Sequence, residues 1–173
     1  NATVILAGDI GGTKTLIGLF EPRGHRPSPI HIESFPTTEF SGLPEIIDAF
    51  LTLQEAPPRI TAAAFGVAGP VINQTAQMTN VEWRVDADEL IRTFKFADVR
   101  LLNDLEATAH AVPVLEGEEL TTLQGGIRRH EGNLGVIAAG TGLGGALLHR
   151  SGERYIPVAS EIGHSDFAAR TER

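Results

Sequence analysis

Residues 3–20 read TVILAGDIGGTKTLIGLF, two apolar runs separated by a glycine-rich segment. Each run has the length and composition of a strand, and the glycines between them indicate a turn. Paired glycines let backbone N–H groups approach a phosphate closely, and the hydroxyl of Thr13 adds a donor. Asp9 comes at the end of the first run, where a carboxylate can hold a hydrated Mg²⁺. A type I′ hairpin turn with an incidental aspartate is the alternative.

The phosphate-binding interpretation of this segment differs from a Walker A loop, because Thr13 stands where the second glycine of that motif should be. A P-loop nucleoside triphosphatase is therefore rejected. The residues that we expect to bind phosphate here are Gly8, Asp9, Gly11, Gly12 and Thr13.

The sequence on either side of this segment predicts an α/β domain with a mixed sheet. Apolar runs predict further strands at residues 30–35, 60–67 and 99–102. Apolar spacing or capping residues predict helices at residues 43–51, after Asp86 and at 105–111. The predicted order is β-β-β-α-β-α-β-α.

Apolar runs resume after Leu120, so we place a domain boundary near Val112-Pro113, with a first lobe at residues 1–112 and a second at residues 113–173. The second lobe has no helix with a full apolar face, which is typical of an incomplete domain.

Composition excludes several classes of protein. The chain has 173 residues, 42% of them hydrophobic, which favours a packed globular fold. The net charge is -8 and the 14 lysines and arginines are scattered, which argues against a nucleic-acid partner. No apolar run approaches the roughly 20 residues that span a bilayer, so no membrane segment is expected. Cysteine is absent, which excludes disulfides and fits a cytoplasmic protein.

A second glycine-rich segment, GTGLGG at residues 140–145, follows another apolar run. It satisfies the G-x-G-x-x-G spacing of dinucleotide-binding folds, and Glu161 lies near the distance of a ribose-binding acid. That alternative needs a helix to begin in the segment, which Gly145, Gly152 and Pro157 oppose. A strand after the segment fits better. Gly140, Thr141 and Gly142 are then candidates for a second phosphate loop, with the two loops holding the β- and γ-phosphates of a nucleotide.

Two polar clusters complete the candidate site. Asn103 and Asp104 follow a predicted strand and precede a predicted helix, so Asp104 is either a helix N-cap or a general base for a hydroxyl group. Glu161 and His164 are three residues apart, but Gly163 opposes the helix that a metal-binding pair would need. They are either part of a solvated turn or a pair that reads adjacent sugar hydroxyls. Asn80 can join them or can be a turn asparagine.

Together these motifs resemble the bacterial glucokinase family, a branch of the hexokinase and actin-like ATPase superfamily that is related to the ROK sugar kinases. The segments similar to family motifs are GDIGGT at 8–13, TNVEW at 79–83, LND at 102–104, GTGLG at 140–144 and EIGHSDFA at 161–168. They cover nearly the whole chain in the family's order. The cysteine-rich zinc motif of ROK kinases is absent, since the chain has no cysteine.

The resemblance implies an actin-like, ribonuclease H-like fold of two lobes, with ATP and Mg²⁺ in the cleft and a glucokinase activity. It implies that Asp104 is the base for the sugar 6-hydroxyl, and that Asn103, Glu161 and His164 contact glucose. Asn80, in the TNVEW segment, is a further candidate for sugar binding. Family members are about twice as long, so the resemblance also implies that residues 1–173 lack the adenosine pocket and are inactive alone. An exposed half-lobe would favour a homodimer.

Two alternatives stay open at this stage. A sugar-sensing protein related to ROK-type repressors would carry an N-terminal helix-turn-helix, whereas this chain begins with a strand. A kinase for N-acetylmannosamine or another hexose is separated from a glucokinase only by details of the TNVEW and EIGHSDFA segments.

Overall fold

The computed structural model describes residues 3–24, 26–55, 59–78, 80–127, 132–139 and 143–160. The chain divides into two compact units, Asn1–Ala107 and Thr108–Arg173. This division falls about one helical turn before the boundary that we placed near Val112-Pro113, and the assignment of lobes to residues 1–112 and 113–173 remains a proposal.

The first unit contains most of the described secondary structure. Its described strands are Thr3–Ile10 (β1), Lys14–Glu21 (β2), Ser28–Pro36 (β3), Arg59–Val67 (β4), Val71–Ile72 (β5), Thr75–Gln77 (β6), Arg84–Asp86 (β7) and Asp98–Asn103 (β8). The described helices of the chain are Leu43–Thr52 (α1), Ala87–Phe94 (α2) and Asp104–Ala111 (α3). Within the described ranges, none of these helices has both the length and the apolar character needed to cross a bilayer.

The main sheet is mixed, as the sequence predicted, with the strand order β3-β2-β1-β4-β8. Strands β1, β4 and β8 are parallel to one another, whereas β2 and β3 are each antiparallel to their neighbours. In register, Ile10 lies beside Val67, and Val67 lies beside Asn103. The carboxyl ends of the three parallel strands therefore meet at one edge of the sheet, which is where ligands bind in many open α/β sheets.

One face of this sheet packs against helix α1 to form the core. Leu6, Ile17 and Phe65 of the sheet are fully buried, as are Ile46 and Phe50 of the helix. The helix forms where the sequence predicted it, because its apolar residues recur at the spacing of one helical face and Pro44 is tolerated in the first turn. Burial of each such side chain contributes about 1.5–3 kcal/mol.

Helix α2 also begins at the predicted cap. The Asp86 carboxylate accepts hydrogen bonds from the backbone N–H groups of Asp88 (3.0 Å) and Glu89 (3.2 Å). The bond from Glu89 is the main reason that the pKa of Asp86 is lowered. Lys95 ends the helix in the left-handed conformation with φ 59°.

Three short strands were missed by the sequence prediction, which had no strand between β4 and α2. Strands β5, β6 and β7 form a separate antiparallel sheet in the order β5-β6-β7. Each has only two or three residues, which is too short for alternating hydrophobicity to be detected. Gln74, in the turn between β5 and β6, uses its side-chain oxygen to accept the Leu101 N–H (2.8 Å) at the open edge of β8.

The described strands of the second unit form an antiparallel sheet in the order β11-β10-β9, made of Leu134–Ala139 (β9), Leu143–Ser151 (β10) and Arg154–Ser160 (β11). The buried hydrophobic cluster of this unit consists of Ala146 and Leu148 of β10 and Ala109 of α3. Strand β10 begins at Leu143, inside the second glycine segment, and continues beyond it, so a strand forms there and not a helix, as predicted. A dinucleotide-binding fold needs a helix at that point, so this alternative is excluded.

Candidate active site at the carboxyl edge of the main sheet

The structure brings Asp9 and Asp104 together at the carboxyl edge of the main sheet. Asp9 is the second-last residue of β1, and Asp104 directly follows β8. Partial burial raises the pKa of the Asp9 carboxyl above its ordinary value, and the nearby negative charge of Asp104 raises this pKa further, while the Lys14 ammonium group lowers it. The predicted magnesium ligand and the predicted base are thus close enough to interact electrostatically.

Asp104 is the first residue of α3, and Asn103 occupies the position before the helix. The side-chain oxygen of Asn103 accepts a hydrogen bond from the Leu105 N–H (3.0 Å), as an N-cap does. One carboxylate oxygen of Asp104 also accepts from Leu105 (2.9 Å). The alternative in which Asp104 holds the cap position is therefore wrong, since Asn103 holds it.

The other end of the Asn103 side chain fastens the neighbouring turn. Its amide nitrogen donates to the carbonyl of Gly69 (3.1 Å), in the turn that follows β4. Gly69 has φ 150°, and a Cβ there would lie 3.2 Å from the carbonyl oxygen of Gln77, so only glycine fits without strain. Asn103 thus connects the ends of two parallel strands and caps α3.

Gly66 is a site residue that the sequence analysis missed. It lies beside Asp9 in the register of the sheet, on the face that α3 covers. A Cβ at Gly66 would lie 3.1 Å from the Cβ of Ala107 and 3.8 Å from the Cα of Asp104. A larger residue would push the first turn of α3, and Asp104 with it, away from Asp9. The run of small residues at 62–64 in β4 was the available signal for a close helix.

The first glycine loop connects β1 to β2, and its glycines are required for space. A Cβ at Gly11 would lie 2.7 Å from the carbonyl oxygen of Lys14, and a Cβ at Gly8 would lie 2.8 Å from side-chain atoms of Ile17 and Phe65. Neither Gly11 nor Gly12 has a positive φ. A type I′ turn needs positive φ at both central residues, so that alternative for the loop is excluded.

Asn80 packs directly on this loop. A Cβ at Gly12 would lie 2.5 Å from the Cβ of Asn80 and 2.8 Å from its amide nitrogen. The Asn80 side chain is otherwise exposed. A residue predicted to contact the sugar therefore lies against a residue predicted to contact phosphate, as a reaction between the two ligands would require.

The acidic pair suits a hydrated magnesium ion better than a fully protein-bound metal. Among the residues that the structure describes, no group of three or more His, Asp and Glu side chains could enclose a metal ion. Mg²⁺ binds through one or two carboxylates together with water and phosphate oxygens. The repulsion that raises the pKa of Asp9 is the kind of repulsion that a divalent cation relieves.

Five predicted site residues lie outside the described residues. They are Gly140, Thr141, Gly142, Glu161 and His164. Their roles in phosphate and sugar binding stay predictions.

Thr13 and Lys14 are exposed at the end of the first loop.

The chain is similar to known glucokinases over nearly its whole length. The glucokinase family model matches residues 6–173. A glucokinase of Nostoc sp. is 38% identical over 171 residues, which are 98% of this chain and 50% of that protein. A glucokinase structure from an Antarctic psychrotroph has a TM-score of 0.85 at 29% identity and covers 98% of this chain and 53% of its own.

A ROK family glucokinase from Streptomyces griseus, in complex with glucose and AMPPNP, shares the fold, with a TM-score of 0.59 at 22% identity over 88% of this chain and 46% of its own. The chain spans about half the length of the curated relatives that it matches. Because the family model covers nearly all of the sequence, the chain belongs to the glucokinase family.

Proposed function

We propose that the protein, at the full length encoded by its gene, transfers the γ-phosphoryl group of ATP to O6 of glucose. The observation that supports this most directly is the position of Asp104 beside Asp9, at the sheet edge where the first glycine loop begins. We also propose that the fold is of the actin-like ATPase class and that the enzyme acts in the cytoplasm, where its nucleotide is available.

The comparisons support ATP and a hexose as the two substrates. The similar proteins are named glucokinases, and the Streptomyces griseus structure contains glucose and AMPPNP, an ATP analogue. Acceptors other than glucose are separated by assaying N-acetylmannosamine and other hexoses beside glucose.

Asp104 is the proposed general base. It accepts the proton of the sugar 6-hydroxyl as that oxygen forms a bond to the γ-phosphorus, while the bond from this phosphorus to the β,γ-bridging oxygen breaks and ADP leaves. The helix start and the Asn103 cap hold Asp104 in place, so that little reorganisation is needed during the reaction.

The remaining roles are positional. The sugar is oriented by Asn80, Glu161 and His164. Asn103 also contributes, because its side-chain amide has a second N–H and a second lone pair beyond those used to cap α3 and to bond Gly69. The Gly12 N–H and the Thr13 hydroxyl bind phosphate oxygens, and Gly140, Thr141 and Gly142 do the same from the second loop. The predicted N–H contact from Gly11 is corrected, because this N–H donates to the Lys14 carbonyl (3.1 Å). Gly8 lies within β1, paired on both sides, so it and Gly11 shape the loop by leaving space.

Asp9 would hold Mg²⁺ through water. When bound, the ion spreads negative charge off the phosphate oxygens. Lys14 offsets part of the negative charge around Asp9.

The test is Asp104→Asn in the full-length protein. We expect kcat for glucose phosphorylation to fall by about 10²-fold or more, because a lost general base has an effect of this size. Glu106→Gln is the matched control, since this carboxylate lies in the same helical turn two positions away and therefore faces another direction. Near-normal turnover of Asp104→Asn would remove Asp104 from its role.

A further inference from the structure

A buried residue, Thr37, holds the first glycine loop from inside the domain. Thr37 begins the short 3₁₀ turn Thr37–Glu39, which follows β3, and its side chain is fully buried. Its backbone N–H donates to the carbonyl of Thr13 (2.9 Å). Its hydroxyl donates to the carbonyl of Gly11 (2.8 Å). One residue therefore contacts both ends of the three-residue connection between β1 and β2.

The direction of these hydrogen bonds follows from the number of protons. The carbonyl of Gly11 can only accept, so the one hydroxyl proton of Thr37 is committed to it. Thr15, fully buried in β2, lies 2.8 Å from the same hydroxyl oxygen. Thr15 must then donate to Thr37, which gives a directed chain from Thr15 through Thr37 to Gly11. Such a chain leaves no freedom for either hydroxyl to rotate.

The orientation of the Gly11–Gly12 peptide is the consequence. This peptide is trans, so the Gly11 carbonyl and the Gly12 N–H point in opposite directions. Since the carbonyl is directed into the domain at Thr37, the Gly12 N–H points outward. Carbonyl oxygens repel a phosphate and N–H groups attract it. The orientation of this peptide therefore decides whether the loop attracts or repels an anion.

We propose that Thr37 is a positioning residue for nucleotide binding, because its hydroxyl keeps the Gly11 carbonyl turned inward and the Gly12 N–H turned towards the phosphates. This inference rests on the proposed function, in which the first glycine loop binds the phosphates of ATP. Thr37 does not itself touch substrate. It acts through the loop, and its effect is expected on ATP and not on glucose.

The test compares three variants of the full-length protein. Thr37→Val keeps the shape of the side chain and removes the hydroxyl, whereas Thr37→Ser keeps the hydroxyl. Thr61→Val is the control, because the Thr61 hydroxyl also donates to a backbone carbonyl, that of Val4 (3.3 Å), but at the opposite end of the sheet. For each we would measure kcat, KM for ATP, KM for glucose and Tm.

We expect Thr37→Val to raise KM for ATP about 10-fold or more, because the phosphate then loses its hydrogen bond from the Gly12 N–H. Loss of one hydrogen bond to a charged group has an effect of this size. KM for glucose should stay within about 2-fold of wild type, as should both KM values of Thr37→Ser and Thr61→Val. If Thr37→Val does not fold, Thr37→Ala, which removes the same hydroxyl with less bulk, takes its place with the same expectation.

Two results would overturn the inference in different ways. An active wild-type enzyme whose KM for ATP is unchanged by Thr37→Val, or is changed equally by Thr37→Ser, would show that the hydroxyl does not position the loop. A wild-type protein that forms no glucose 6-phosphate from ATP and glucose would refute the proposed function, and the role of Thr37 with it.

Discussion

Asp9, the proposed magnesium ligand, has an electrostatic cost for the stability of the fold. The pKa of Asp9 is raised in the folded state above its ordinary value of 3.8. Between these two pKa values the folded state binds more protons than the unfolded state. The stability that this group contributes is therefore complete below pH 3.8 and is lost as the pH rises through the folded-state pKa. At neutral pH the ionised Asp9 opposes folding.

Asp9→Asn should accordingly raise the free energy of unfolding at pH 7, and the gain over wild type should shrink as the pH is lowered towards 4. The gain should be small, because the side chain is substantially exposed and solvent screens its charge. Urea unfolding of both proteins between pH 4 and pH 7 measures it. Glucose phosphorylation should fall in the same variant, since the proposed magnesium ligand is lost.

The contribution of Asp104 to the raised pKa of Asp9 can be measured separately. In an Asp104→Asn background the second cause of the raised pKa of Asp9 is absent, so the stabilisation by Asp9→Asn should be smaller there. Equal stabilisation in both backgrounds would mean that the two carboxylates do not interact.

Also at the residue scale, the structure gives the glycines of the first loop a steric role that the sequence did not indicate. The sequence predicted close approach of their N–H groups to a phosphate, whereas the structure shows lack of space for a side chain at Gly8, Gly11 and Gly12. Which atoms surround a Cβ position is a property of the packed fold, and only the presence of the glycine is visible in the sequence.

At the scale of the element, helix α2 has a well-formed start and a strained end. Asp86 caps the first turn, but Lys95 at the end adopts φ 59°, a conformation that costs an L-residue roughly 1–2 kcal/mol and costs glycine almost nothing. The sequence indicated the cap, because aspartate with a glutamate three residues later is a recognised signal. It gave no sign of the left-handed lysine.

Lys95→Gly should therefore be more stable than Lys95→Ala by about 0.5–1 kcal/mol, the strain relief being partly offset by the greater freedom of glycine in the unfolded chain. Both variants lose the same charge, so the comparison isolates the backbone. At Arg92, inside the same helix, the order should reverse, with Ala more stable than Gly by about 1 kcal/mol. Urea denaturation of the four variants decides this; an Ala variant at residue 95 that equals or exceeds its Gly counterpart would contradict the expectation.

The outer side of strand β8, which faces away from β4, is a further feature of this scale. β8 is an outer strand of the sheet, and Gln74 satisfies the Leu101 N–H (2.8 Å) and also donates to the Leu101 carbonyl (3.4 Å). An unpaired strand edge is a site of unwanted association, and this side chain occupies part of it. Gln74 has φ 58°, so the turn that presents it is itself held in an uncommon conformation.

At the scale of the whole molecule, the second unit exposes apolar side chains on one face of its sheet. Ile137 is 73% exposed, Leu147 55% and Val158 50%. The register places Leu147 beside Val158, so the exposed residues form a continuous surface. Apolar surface of this kind usually contacts another chain or another part of the same chain, and a homodimer of the protein remains a proposal.

The relatives are about twice as long as the chain, and this leads to a prediction for the isolated segment. Residues 1–173 assayed alone with ATP and glucose should form no detectable glucose 6-phosphate, because the matched relatives have as much sequence again outside the similar region. A coupled assay on this chain beside the full-length protein checks the expectation. Robust product formation by residues 1–173 would contradict it.

Much of the fold was predictable from local patterns, and the same patterns gave the candidate site residues. The spacing of apolar residues predicted the long strands and α1, and the Asp86 and Glu89 pair predicted the start of α2. Gly145, Gly152 and Pro157 favoured a strand over a helix at the second glycine segment. The order of short motifs determined the family, because each motif is contiguous in the chain. The strands β5–β7 were not predictable, since two or three residues carry too little pattern.

Only the tertiary structure decided which of these residues meet. Asp9 and Asp104 interact because β1, β4 and β8 are parallel and end at one edge, a pairing that no local pattern specifies. The same is true of Thr37, an ordinary residue in the sequence that becomes the inner support of the glycine loop. Local sequence sets what each segment can form, whereas strand pairing and close packing bring distant residues within the few ångströms over which hydrogen bonds and charges act.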